Sequence, residues 1–309
     1  MHVFSAPSLA RLLAPALLLL LAACATSAGP KTRADAAAPE LTLVTLNLWH
    51  DKGDWPKREK LIVARLRELR PDVIALQEVL QRDGLPNQAR TLAEALGYEY
   101  VFASVDADSR PQRFGNAILS RHPILAHDWK ALLPLDDFRS IVRVRVAVDG
   151  RQVNVYDTHL HWTEQGGAIR ATQVRDALAY IARTAGDAPS VLAGDLNASM
   201  DAPELQPLLG DFLDAYAAMH PGMAPGDRAH ATLDLAQYPP RHIDQVLLQR
   251  EAFVPLQARV ILDDPDAEGT LASDHYGVLV KFRFAEPAKH GTGISARATS
   301  HDSNPGRPK

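Results

Sequence analysis

The chain has 309 residues, 46% of them hydrophobic, with 33 basic and 37 acidic side chains and a formal net charge of −4 at pH 7. That length can bury a full core without covalent staples, and a single cysteine, Cys24, excludes an intramolecular disulfide. The acidic balance implies no broad basic patch, which weighs against non-specific nucleic-acid binding, a process driven by phosphate neutralisation.

Residues 1–23 have the pattern of a cleavable export signal. Arg11 gives a weak positive start, an apolar run over 12–21 is broken only by Pro15, and Leu21-Ala22-Ala23-Cys24 follows. The run is shorter than the about 20 apolar residues a spanning helix needs. The stretch resembles the lipobox of bacterial lipoproteins, which implies a lipid-modified Cys24; an ordinary secreted protein with a chance cysteine is the other reading. Ala25 is not acidic, and the same resemblance then implies an outer-membrane lipoprotein facing the periplasm. Residues 24–40, small and polar with Pro30 and Pro39, suit a tether. Residues 286–309 have the composition of a disordered tail. A single domain is expected over 41–285.

Residues 41–49 alternate and are rich in β-formers, which predicts a strand. Pro56 opens a helix with Leu61, Ile62, Ala64, Leu66 and Leu69 on its apolar face, and Lys57, Arg58, Lys60, Arg65, Arg67 and Arg70 toward solvent. A nearly apolar strand follows over 73–79, so strand, helix and strand make a βαβ unit. Further along come a helix over 87–96, strands over 98–104 and 114–120, and two alternating runs, 141–148 and 152–159, around the hairpin signal Asp149-Gly150. A long helix over 168–185 has Ile169, Val174, Leu178 and Ile181 inward. A short buried strand covers 190–193, and late strands cover 242–248, 253–262 and 276–284. Many strands with few helices predict an α/β fold of two packed mixed sheets flanked by helices, a four-layer sandwich.

Polar groups stand where apolar runs stop: Asn47, Glu78, Asn116, His159, Asp195 with Asn197, Asp244, and Asp274 with His275. Carboxylates, amides and imidazoles at buried strand ends cost desolvation energy unless they bind something charged. A divalent cation and a phosphate are suitable partners. The segments Thr45-Leu-Asn47-Leu-Trp49, Leu76-Gln-Glu78-Val, Gly115-Asn116-Ala-Ile-Leu-Ser-Arg121, Thr158-His159-Leu, Gly194-Asp195-Leu-Asn197, His242-Ile-Asp244 and Ser273-Asp274-His275 together resemble the endonuclease/exonuclease/phosphatase superfamily, in that family's order.

The resemblance implies a hydrolase that cleaves phosphate esters by water attack at phosphorus. It implies Mg²⁺, with Mn²⁺ as a substitute, at Asn47, Glu78 and Asp274. His275 is assigned as general base, supported by Asp244. Asp195 and Asn197 orient the water and stabilise the transition state, although which of Asp195 and His275 removes the proton stays open. His159 contacts the phosphate, and Asn116 supports the same face. Trp49-His50 and His161-Trp162 follow proposed site residues and are read either as walls of the site mouth or as residues packed under loops. Arg170 is read as reaching substrate or facing solvent, Arg121 as a packing or ion-pair residue, and His127, His220 and His230 as surface or loop residues. The expected substrate is a phospholipid head group or a nucleic acid, the expected state a monomer. A catalytically idle binding lipoprotein on the same scaffold is the competing reading.

Overall fold

The computed structural model describes residues 38–286. The expected signal over 1–23, Cys24 with the tether up to residue 37, and the tail from 287 lie outside the described residues.

The chain alternates between strands and helices from the start: β1 (Glu40–Asn47), α1 (Trp55–Leu69), β2 (Val73–Gln81), α2 (Gln88–Leu96), β3 (Glu99–Ser104) and β4 (Arg113–Ser120). It then moves to a second sheet with β5 (Ile124–Ala131), β6 (Ser140–Val148), β7 (Arg151–His159), α3 (Gly167–Thr184), β8 (Ser190–Asp195), α4 (Leu208–Asp211), β9 (Phe212–Asp214), α5 (Ala215–Met219) and β10 (Asp244–Gln249). It returns to the first sheet with β11 (Phe253–Ile261) and β12 (Gly277–Phe284). Local chemistry sets the ends. Asp54 caps α1 by accepting the Lys57 N–H, with Pro56 in the first turn. Asn87 caps α2, which stops at Gly97 in the left-handed region.

Each sheet has six strands, in the orders β11-β12-β1-β2-β4-β3 and β5-β6-β7-β8-β10-β9. The pairs β1–β2 and β7–β8 are parallel; their neighbours run antiparallel, so both sheets are mixed. The sheets face each other through Leu43, Ile118, Val280 and Phe282 on one side and Val144, Val155, Val191 and Val246 on the other. Helices α1 and α2 cover the first sheet through Ile62, Leu66, Leu92 and Ala93. Helix α3 covers the second through Val174, Ala177 and Ile181, beside Leu208 of α4. This is the expected four-layer sandwich. Each buried aliphatic side chain contributes roughly 1.5–3 kcal/mol, against about 0–1 for a surface ion pair, so the apolar layers set the register.

The topology gathers the polar strand ends. Parallel partners point their carboxyl ends the same way, which brings Asn47 beside Gln77 and His159 beside Asp195. β10 is antiparallel to β8 and starts where β8 ends, so Asp244 pairs with Asp195. β12 is antiparallel to β1, so Ser273-Asp274-His275 arrives just before it at the same rim. Close approach demands the glycine of Gly194-Asp195: a Cβ at Gly194 would lie 1.9 Å from the Thr158 carbonyl oxygen.

Some expectations need correction. Arg58 does not face solvent; with Trp55, Ile62 and Leu66 it forms the buried stripe of α1. It donates to the carbonyls of Leu48, Trp49, His50, Lys52 and Ala272, holding the loop after β1. Ala64, expected inside, is exposed. The inward face of α3 carries Arg170, Gln173, Val174, Ala177, Tyr180 and Ile181, whereas Ile169 and Leu178 are only half-buried. β5, β9, α4 and α5 were not expected. β5 is an edge strand whose side chains alternate between exposed and half-buried, so His127 is a surface residue on a strand.

Candidate active site

Asn47, at the end of β1, reaches across to the other sheet. Its Nδ2 donates to Asp195 Oδ2 at 3.0 Å, and its Oδ1 accepts the Trp49 N–H at 2.9 Å. Asp195 Oδ1 accepts the Asn197 N–H at 2.9 Å. Asn197 is held in turn by Nδ2 donating to the Leu160 carbonyl at 3.0 Å. Asp195 is thereby fixed at 1% exposure, with His159 Nε2 at 3.4 Å and His275 Nε2 at 3.8 Å from its Oδ2.

His275 Nδ1 lies 3.0 Å from Asp244 Oδ2. The carboxylate accepts, so Nδ1 carries the proton and Nε2 turns toward Asp195. Ser273 fixes this segment to β1: its Oγ donates to the Asn47 carbonyl at 2.7 Å and accepts the His275 N–H at 3.2 Å. Burial opposes a charged His275, but Asp244 and then Asp195 and Asp274 outweigh it and push the pKa up to about 10. Burial raises Asp244, with His275 opposing.

Glu78 sits in a β-bulge. The β2–β4 register shifts between Leu76 and Val79, and Glu78 has φ +55°. A bulge re-aims a side chain, at a backbone cost of order 1–3 kcal/mol in this left-handed region. Asn116 faces the bulge from β4 and anchors itself by Nδ2 donating to the Ser140 carbonyl at 3.1 Å. Burial raises the Glu78 carboxyl pKa against His275, Asp195 adds to the rise, and His50 and the Asn47 amide oppose it. Asp274 is buried and accepts from the Tyr238 hydroxyl at 3.2 Å; burial raises its pKa, with His275 opposing. Among the described residues, Asp195, Asp244 and His275 form the group whose ligand atoms all lie within 4.8 Å of one another. That group is internally bonded through His275 and Asp244, whereas Glu78 is left with partial compensation. Three buried carboxylates, Asp195, Asp244 and Asp274, with half-buried Glu78 beside them and few cations to face, fit a divalent ion with oxygen ligands.

Sequence reasoning missed Arg139. Its Nη1 lies 3.1 Å from His159 Nδ1. A guanidinium only donates, so Nδ1 accepts and the His159 proton sits on Nε2, toward Asp195. Burial, then Arg139 and His275, hold the His159 pKa well below its ordinary value. The hairpin pairs Ile141 with Thr158, so register places Arg139 next to the His159 level. His50, with Nε2 3.9 Å from Glu78 Oε2, also lies at this rim. The paired walls expected from Trp49-His50 and His161-Trp162 are not both there. Trp49 packs over Arg58, 5.3 Å from ring centroid to guanidinium. His161 is buried and tied to Asp137 at 2.7 Å; Trp162 is 67% exposed. Arg170 neither faces solvent nor reaches the site: it pairs with Glu204 and donates to the carbonyls of His161 and Thr163. Arg121 pairs with Asp72. His220 and His230 cluster around Tyr216.

The model described as the Endonuclease/Exonuclease/phosphatase family matches residues 44–275. Nocturnin from Drosophila melanogaster is 25% identical over 287 residues, covering 77% of this chain and 43% of that protein. A neutral sphingomyelinase-type protein from the same organism is 28% identical over 179 residues, covering 52% of this chain and 39% of its own length. The chain thus spans less than half the length of these curated relatives. The solved catalytic domain of human Nocturnin with bound sulfate shares the fold, with a TM-score of 0.66 and 19% identity over 80% of this chain and 94% of that one. The matched region carries every strand-end group from Asn47 to His275, and the chain belongs to the Endonuclease/Exonuclease/phosphatase family.

Proposed function

We propose that the chain is an exported, lipid-anchored, Mg²⁺-dependent phosphodiesterase acting on phospholipid head groups. The observation that carries the hydrolase reading is the cross-sheet chain Asn47–Asp195–His275–Asp244, with His159 beside Asp195. In this reading Glu78, Asn47 and Asp274 hold the cation; Mn²⁺ suits the same oxygen donors. A cation held there would offset the charge of the phosphate and of the leaving oxygen. His275, steered by Asp244, removes the proton from the attacking water. The neighbouring carboxylates hold a proton on His275, and a cation at Glu78 and Asp274 would offset their charge and leave Nε2 free for that role. Asp195 and Asn197 orient the water, and neutral His159 donates Nε2–H to a phosphate oxygen, with Asn116 bracing that side. Water attacks phosphorus, the ester P–O bond breaks, and the leaving oxygen takes up a proton.

The lipid half of the reading rests on the rim. Leu133, Leu135, Phe138 and Trp162 are exposed at 47–72%. They stand on two loops joined by the His161–Asp137 bond, next to Arg139 and His159. An apolar rim beside a polar cleft suits an interface with acyl chains, and the lipobox-like Cys24 would place it there.

The test is hydrolysis by the whole chain, with Mg²⁺, of sphingomyelin vesicles, phosphoinositide vesicles and plasmid DNA. Vesicle substrates are expected to be cleaved, with kcat falling about 10²- to 10⁴-fold in His275→Ala. Cleavage of DNA alone would overturn the lipid assignment. No turnover of any substrate with Mg²⁺ or Mn²⁺ would overturn the enzyme reading and leave a binding scaffold.

A further inference from the structure

Arg139 stands on fixed backbone. Its carbonyl accepts the Leu132 N–H at 2.8 Å, which extends the β5–β6 ladder by one residue. The carbonyl of its neighbour Ser140 accepts from Asn116 Nδ2 at 3.1 Å and from Thr158 Oγ1 at 3.0 Å. The segment that carries the guanidinium is thus tied to both sheets.

The side chain is only 13% exposed and is poorly paired. Nη1 meets His159 Nδ1, and among the described residues no acceptor lies within hydrogen-bond reach of Nε or Nη2. Asp137 Oδ2 is 3.8 Å from Nε, too far for a hydrogen bond. That carboxylate is already engaged: Oδ1 lies 2.7 Å from His161 Nδ1, and Oδ2 accepts from Gln173 Nε2 at 2.6 Å. Nε and Nη2 are also open to an occupant. Among the described residues, the partnerless side-chain atoms without accessible surface include Arg113 Nε but no nitrogen of Arg139. Burial disfavours the Arg139 charge, and Asp137, Asp195 and Glu78 sustain it, so the guanidinium shares a cleft with the site carboxylates.

A guanidinium only donates, stays charged and presents its N–H bonds as a planar fork that matches phosphate oxygens. An anionic phosphate entering beside Asp195, Glu78 and Asp274 meets like charge. A fixed cation on the His159 side offsets part of that repulsion. Its donors count most where charge grows on the phosphate oxygens as water adds.

We propose that Arg139 is a catalytic residue that binds a non-bridging oxygen of the substrate phosphate through its open N–H groups. The proposal rests on the hydrolase reading for the reaction, and it goes beyond fixing the His159 tautomer. The test reads binding as well as turnover. Inorganic phosphate is titrated into the whole chain in Mg²⁺ buffer by calorimetry, for wild type, Arg139→Met, Arg139→Lys, His159→Phe and the Arg139→Met/His159→Phe pair, each checked for native circular dichroism. Arg139→Met is expected to weaken phosphate about tenfold or more, and Arg139→Lys, which keeps the charge without the fork, to weaken it less. The same loss is expected in the His159→Phe background, because a direct contact does not pass through the imidazole. With bis(p-nitrophenyl) phosphate as substrate, kcat/KM is expected to fall about 10²- to 10³-fold in Arg139→Met, and added guanidinium is expected to restore part of the turnover lost in Arg139→Ala. Disappearance of the Arg139 effect once His159 is gone would make Arg139 a positioning residue only and overturn the proposal. Unchanged phosphate affinity in folded Arg139→Met, or no saturable binding by the wild type, would overturn it too. Phosphate binding that depends on Arg139 in a chain that turns over no diester would uphold the contact and overturn the hydrolase reading alone.

Discussion

Asp157 shows how one side chain can work against stability behind a functional rim. It is fully buried in β7, where its Oδ1 accepts from Gln77 Nε2 at 2.6 Å. Its Oδ2 and Gln77 Oε1 both lack partners. Protonation turns Oδ2 from an unpaired acceptor into a donor, since an acid can donate where a carboxylate cannot. Burial, partly opposed by the Gln77 bond, raises the Asp157 pKa well above the ordinary 3.8. Folding therefore favours the protonated form. Its contribution is intact below about pH 4 and is lost as pH rises toward the folded-state value, because the unfolded chain ionises first. Asp157→Asn keeps the acceptor and supplies N–H donors. The variant is expected to be more stable than wild type at pH 7 by about 1–3 kcal/mol, with the gain disappearing near pH 4, as read by calorimetric Tm across that range. Single residues of this kind are illegible in sequence. Asp157 looks like an ordinary polar residue in an alternating strand, and its burial depends on a second sheet that the local pattern does not contain.

At the level of elements, patterns were legible where one face was plainly apolar. The βαβ start, the Asp149-Gly150 hairpin and the late strands lie within a few residues of the expected limits. β5 was missed because an edge strand needs no continuous apolar face, and its run contains His127, Asp128 and Lys130. Arg58 was misplaced because charge was weighed above position. Trp55, Arg58, Ile62 and Leu66 recur at helical spacing, so the stripe itself marked Arg58 as inward. That guanidinium donates to five carbonyls; Trp49 and His50 keep the Lys52 N–H and the Gln88 amide as donors, but Arg58→Met takes the side-chain donor from Leu48, Lys52 and Ala272 beside Asn47. A loss of about 3–5 kcal/mol is expected, measured as a lower denaturation midpoint with unchanged m-value. Arg139 could also have been found from an element. Counting back from the hairpin turn sets residue 140 opposite His159, and the arginine is its neighbour.

Across the whole molecule, the convergence of the strand ends follows from strand direction, which the βαβ unit and the hairpin partly encode. What sequence could not supply was the pairing of the two sheets and the hydrogen bonds across them. The apolar rim also exists only at this scale, since Phe138 and Trp162 are distant in sequence and stand on loops joined by the Asp137–His161 bond. If the rim docks on lipid, replacing both aromatics with serine is expected to cut partition onto vesicles by about tenfold or more, given roughly 1.5–3 kcal/mol for each large apolar side chain fully buried. Vesicle sedimentation measures it, and hydrolysis of vesicles should fall further than hydrolysis of a water-soluble diester. The second sheet is one contiguous stretch, β5 to β10, set between two stretches that build the first, and each sheet supplies only part of the cluster. Severing the chain at the two crossings, after residue 120 and before residue 253, would therefore separate Asn47 and Glu78 from Asp195 and Asp244. On the hydrolase reading none of the three fragments alone could turn over substrate, and recovered turnover on mixing would serve as a reporter of reassembly.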